Sequence, residues 1–285
     1  MRLDEFESVF RSALKPRYRF ARPDVERVLV LTDLSDQRAP AFDRSVRTLL
    51  EPLGAHGSVD WQLLCGDAVS DIDHVVEQVR GADVGLVVTH RHVLSRWRDT
   101  PHAIGSALEV LTQLLDVPVL MTPSPDQPGF SARSDRSAQR VLVVADHLAG
   151  DQRLIDWGLH ITHDDGTIVV AHVEDERVCE RYLDAISKIP TLDTDIARRE
   201  LPAKLLGDAN AWIMSVVEQM QEHGVTETLI PVVRLGTPLA VFMDLVAEHT
   251  IDLVVARAKE NGQHAMEGTA FALATELHET SVLLL

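Results

Sequence analysis

Apolar positions along this chain alternate between short continuous runs and stretches in which they recur every three to four residues. Leu253, Val254 and Val255 form one such run, followed by a polar loop, a Gly268-Thr269 step, a helical stretch and a closing run to Leu285. Leu86, Val87 and Val88 open the same series: a loop, Gly105-Ser106, a helical stretch, then Pro118, Val119 and Leu120. The spacing from the glycine to the closing run is the same in both. Runs of this kind suit strands covered on both faces, and the longer periodicity suits the helices that cover them. Two further runs begin RVLV and end in an aspartate, Asp33 in one and Asp146 in the other. Each is followed by a predicted helix, residues 41–53 after the first and 152–161 after the second.

These matches predict two repeats: residues 27–123, abbreviated, and 140–285, full length. The Pro- and Ser-rich stretch 124–139 joins them. The second repeat contains a strand ending at His172-Val173 and a helical segment, 174–223, with Trp212, Ile213, Val216 and Met220 on one face. The first passes almost directly from its helix to a strand at 59–65, so a strand-plus-helix unit is expected to be missing. The repeats rejoin at Gly66-Asp67-Ala68 and Gly236-Thr237-Pro238, each ahead of a helix. Strands alternating with helices at this spacing predict an α/β fold, two tandem doubly wound parallel sheets. Pairing of the last strands, 117–121 with 282–285, is expected to join them as a pseudo-dimer. Ligands bind such sheets beyond the carboxyl ends of the strands, where Asp33, Asp146 and both Gly-Ser/Thr steps are expected together.

Residues 1–26 precede the first strand. Phe6, Val9, Phe10 and Leu14 give an amphipathic helix that Pro16 ends, in the one basic segment of an otherwise acidic chain. A net charge of −17 excludes duplex nucleic acid as a main partner, since phosphate binding needs a basic footprint. No apolar run approaches the ~20 residues of a membrane span. The acidic start MRLDEFESVF does not resemble a secretory signal, so the expected compartment is the cytoplasm. Cys65 and Cys179, one in each repeat, fit a reducing compartment and form no metal-ligand pair.

The strand-Asp starts, the strand ending in His172-Val173, the Gly-Thr-Pro turn and the closing G-S/T helix and strand, in this order and doubled, resemble the universal stress proteins in tandem form. The resemblance implies an adenine-nucleotide site, with the Asp ending the first strand on the nucleoside and a G-x-x-G loop around the phosphates. Carried onto this chain, the second repeat offers Asp146, Val173, Ala256, Lys259, Gly268 and Thr269, and the first Asp33, Gly105 and Ser106. The G-x-x-G positions depart from the pattern. They hold Ala256-Arg257-Ala258-Lys259 and Thr89-His90-Arg91-His92, side chains where the backbone needs glycine.

His90, His92 and His102 share one loop, but no cysteine or clustered carboxylate completes a metal set in the sequence, and they read as exposed loop residues. No G-x-S-x-G, Walker A or H-E-x-x-H motif occurs. The sequence therefore favours a non-catalytic interaction module with degenerate nucleotide sites, its partner a protein. The other reading is an ATP- or AMP-binding sensor using the second repeat, with 174–223 as a lid. A homodimer is left open.

Overall fold

In the computed structural model, the residues described are 17–55, 57–69, 71–95, 102–127, 130, 136–145, 152–259, 266 and 268–285. Of the amino-terminal segment 1–26, the stretch that carries the predicted amphipathic positions, 1–16, lies outside them, and 17–26 form no helix; Asp146 also lies outside. Among the described residues, nine strands form one sheet in the order β2-β1-β3-β4-β9-β8-β5-β6-β7. They are β1 (Arg27–Leu31), β2 (Asp60–Leu64), β3 (Leu86–His90), β4 (Val119–Thr122), β5 (Arg140–Val144), β6 (Thr167–Asp175), β7 (Thr228–Gly236), β8 (Leu253–Ala256) and β9 (Ser281–Leu284). Every ladder is parallel except β4–β9.

Side chains alternate between two apolar layers, as strand geometry requires. Leu29, Leu31, Val254 and Ala256 point into one layer, and Val28, Val30, Leu253 and Val255 into the other. The first is covered by α3 (Ile72–Gly81), α4 (Ser106–Leu114), α8 (Pro238–Glu248) and α9 (Gly268–Glu276). The second lies under α1 (Ala39–Leu49), the short α2 (Glu51–Ala55), α5 (Gln152–Ile161) and the latter part of α7 (Thr194–Glu222). The doubly wound α/β class predicted from the runs is the observed one. The helix predicted over 41–53 is two, because Pro52 lacks the N–H that a continuous helix would use.

The ladders also correct the expectation about the abbreviated repeat. β2 lies against β1 as β6 lies against β5, Arg27 facing Asp60 as Arg140 faces Thr167. The place beside the first strand is therefore filled, and among the described residues it is the outer strand, the counterpart of β7, that the first half lacks. The turn motif had matched β2 to β7 because each precedes a glycine turn and a helix.

At the centre, Leu120 lies opposite Leu283, flanked by Val119–Leu284 and Met121–Val282 pairs. Val88 faces Leu120, and Val255 faces Leu283, so each leucine meets its counterpart from the other half. The last strands thus meet as the sequence reading expected. Because that contact is antiparallel, the carboxyl ends of first-half and second-half strands lie on opposite edges of the sheet, not together as the sequence predicts. Asp33 and Gly105 cannot share an edge with Gly268 and Thr269.

Between β6 and β7 the chain forms a helical arm. α6 (Glu176–Ser187) starts directly after β6, with the Asp175 carboxylate accepting from the Arg177 N–H. α7 starts on Asp193, whose carboxylate accepts from the N–H groups of Asp195 and Ile196. Only Cys179 of α6 is buried, and α7 buries side chains only from Ala209 onward.

Candidate functional site

In the first half the loop after β3 turns inward. His90 and His92, read as exposed from the sequence, are buried, and Arg91 is only 2% exposed. His92 and Leu94 adopt positive φ, 64° and 54°, which folds the loop back over the end of β1. The His90 Nδ1–H donates to the Arg91 carbonyl at 3.0 Å, and Nε2 lies 2.9 Å from the Thr32 hydroxyl and 3.3 Å from an Asp33 carboxylate oxygen. The other Asp33 oxygen accepts from the Leu94 N–H at 3.1 Å. The His90 ring is packed edge-on against Phe42 of α1, with ring centroids 5.2 Å apart. Polar partners at the strand end and an aromatic wall on α1 explain why His90 leaves solvent.

Gly105 completes this arrangement. Its φ is 99°, and a Cβ there would lie 3.2 Å from the His92 Cα. Gly105 is thus fixed by close approach of the inward loop, and Ser106 begins α4 behind it. Asp33 and Gly105 do come together, through the loop that each touches, and that loop carries the side chains His90 and His92.

The second half differs. The backbone after β8 repeats that after β3: the Ala258 N–H donates to the Leu285 carbonyl as the Arg91 N–H donates to that of Thr122. Ala256 and Ala258 are buried, but neither side chain reaches far. Val173 is buried within β6, which runs two residues further than predicted, to Asp175. Just before it, His172 places Nδ1 2.5 Å from the Ala145 carbonyl and Nε2 2.9 Å from a Glu174 carboxylate oxygen. Gly268 and Thr269 open α9, where a Cβ on Gly268 would meet no atom of the described residues within 4 Å.

Lys259 turns away from its own half. Its ammonium donates to the carbonyls of Gln113 and Leu115 at the end of α4, at 3.2 and 3.0 Å. Arg91 makes the reciprocal contact, donating to the Leu277 carbonyl at 3.0 Å and to that of Ala274, at the end of α9. The geometry follows from the topology. Each helix runs back against its strands, so α9 ends where β9 begins, beside the end of β4. Cations are favoured at these carbonyl ends. Burial pulls the Arg91 pKa down to about 10, against the raising effect of Glu276, so it stays charged at neutral pH. Sequence reasoning gave Arg91 no role, because a buried arginine in a polar loop has no periodic signal.

Residues 137–268 match the universal stress protein family. No curated protein matches the chain. Among solved structures, it is similar to a functionally unknown protein from Pseudomonas aeruginosa, at 13% identity over 92% of this chain and 93% of that one, with a TM-score of 0.52. It is also similar to a universal stress protein from Archaeoglobus fulgidus, at 11% identity over 90% and 95%, with a TM-score of 0.50. These identities speak for the fold. The universal stress match covers the half that contains Val173, Ala256, Lys259 and Gly268, and stops short of Thr269. No described helix is long and apolar enough to cross a membrane.

A cavity of about 550 Å³ opens elsewhere, between α1, the residues following β4 and the starts of β5 and β8. Ser45, Arg136, Arg140 and Asp252 are among its lining residues, and none of the described sequence-predicted site residues is.

Proposed function

We propose that this chain is a cytoplasmic stress-response protein of the universal stress type that acts as a non-catalytic interaction module, with degenerate nucleotide sites. The observation that carries this reading is the buried His90. Its imidazole holds the Thr32 hydroxyl and lies beside the Asp33 carboxylate, where the family resemblance would put a nucleoside. In the second half, the commitment of Lys259 to α4 removes a cation that would otherwise compensate for lost glycines. The α6–α7 arm supports the interaction role, because it exposes Tyr182, Ile189, Leu192 and Ile196.

A second reading, adenine-nucleotide binding by the second half, is favoured by the open start of α9 at Gly268. Thermal-shift and calorimetric titration of the whole chain with ATP, ADP and AMP, with and without Mg²⁺, separates the two. The interaction module predicts no shift at millimolar nucleotide. Nucleotide at 100 times its Kd would add about 2.7 kcal/mol of stability. A shift of that size, lost in Gly268→Val, would replace the first reading with the second.

A further inference from the structure

We propose that His102, Glu276 and His278 form a three-ligand site for a divalent transition metal of the zinc class, built across the junction of the two halves. The potential ligand atoms of all three lie within 4.8 Å of one another. The His102 Nδ1 is 3.6 Å from a Glu276 carboxylate oxygen, and the two imidazoles stand edge to face with centroids 5.2 Å apart. A tetrahedral ion with bonds of about 2.0–2.1 Å separates its ligand atoms by roughly 3.4 Å. The His102–Glu276 pair is therefore already near the required spacing, and no two of the three ligand atoms are more than 4.8 Å apart. Two imidazoles and one carboxylate are a set that zinc accepts, with the fourth position left to water.

The local structure places these groups deliberately close. Glu276 ends α9, and the His278 N–H donates back to the Glu276 carbonyl at 3.0 Å, so residues two apart turn to the same side of the helix end. His102 arrives from the loop ahead of α4. One buried side chain fixes both backbones: Arg91 donates to the Ala103 carbonyl at 3.2 Å, next to His102, and to the Leu277 carbonyl at 3.0 Å, between the other two ligands. Such support of the segments that bear the ligands is what a preorganised site needs. The charged groups facing His278 are Arg91, Glu276 and Glu279, with His102 beside them. The Arg91 guanidinium opposes a cation there, and the two carboxylates favour one. Bound metal would tie the His102 loop of the first half to the end of α9 in the second.

The test is a titration of the chelator-stripped full chain with zinc chloride in competition with a chromophoric chelator, paired with cobalt(II) absorption in the visible. The expected result is one equivalent bound, a tetrahedral cobalt spectrum, and at least a tenfold loss of affinity in His102→Ala and in His278→Ala. His74→Ala, on the exposed face of α3, serves as the control and keeps wild-type affinity. The two ligand variants should melt like the wild type without metal, which separates loss of a ligand from loss of the fold. No binding at 100-fold excess of zinc, or binding that both ligand variants retain, would overturn the proposal.

Discussion

From the last residue of β3 toward α4 the chain carries His90, Arg91 and His92, all buried. Between β8 and α9 the equivalent backbone positions carry Arg257, Ala258 and Lys259, of which Ala258 alone is buried. The backbone hydrogen bonds at the start of the two loops are the same, Arg91 to Thr122 and Ala258 to Leu285. Side-chain size, not backbone path, makes the difference. Where the position holds arginine, the loop sends a guanidinium into the other half. Where it holds alanine, the reach is left to Lys259, one residue later and nearer to solvent. The same topology has therefore been used once as a buried brace and once as a surface contact.

The sharpest way to break this comparison is to remove the two cations in turn. Arg91→Met would leave carbonyls of Ala103, Ala274 and Leu277 without their donor in a dry site, at a cost of about 3 kcal/mol or more. Lys259→Met should cost no more than about 1 kcal/mol, because its ammonium is near water and is easily replaced there. Urea denaturation of both variants measures the gap, and equal losses would mean that the two contacts are equivalent after all.

Glycine substitution gives a smaller contrast. Gly105→Ala places a side chain at φ 99° and within 3.2 Å of the His92 Cα, a strain of roughly 1–3 kcal/mol. Gly268→Ala meets no atom of the described residues within 4 Å and should be neutral or stabilising by up to about 1 kcal/mol. Melting temperatures suffice to rank the pair.

The smallest effect concerns the segments that lead into β1 and β5. Ahead of β5, the Ala138 N–H donates to the Leu49 carbonyl of the first half. Ahead of β1, the Tyr18 hydroxyl donates to Asp156 of α5 at 2.6 Å, and the Ala21 N–H donates to the same carboxylate oxygen. Burial raises the Asp156 pKa, with both hydrogen bonds opposing the rise, and burial together with Asp156 raises that of Tyr18. Native Asp156 therefore keeps its proton to higher pH than it does in the unfolded chain. Its contribution to stability falls as pH climbs from the ordinary aspartate range through the raised native value, and is constant above it. Subtracting the pH profile of Asp156→Asn from that of the wild type should isolate this slope. A flat difference would show that the carboxyl titrates alike in both states.

How much of this was legible in the sequence follows from what each feature depends on. Apolar runs such as 253–255 announce buried strands, because a parallel sheet covered on both faces leaves no room for polar residues. The meeting of β4 with β9 was legible because each half ends on a strand with an edge to cover. Which strand lies beside β1 was not, since ladder partners are chosen by three-dimensional fit and the glycine turn after β2 is a local signal. Arg91 and the trio of His102, Glu276 and His278 were illegible for a further reason. They sit in loops and at a helix end, where no period marks a face, and their partners lie in the other half of the chain. In the sequence the histidines that invite a metal set, His90, His92 and His102, lie in one loop. The antiparallel junction instead carries His102 to the far end of α9.

That junction also changes what dilution can do. Two separate molecules joined through their last strands would come apart as their concentration fell below the dissociation constant, and each substitution in one would be repeated in the other. With β4 and β9 in a single polypeptide, the contact is unimolecular and its occupancy is independent of concentration. Each side is also free to change alone. A guanidinium can be sunk into one side of the seam while an alanine holds the matching place on the other.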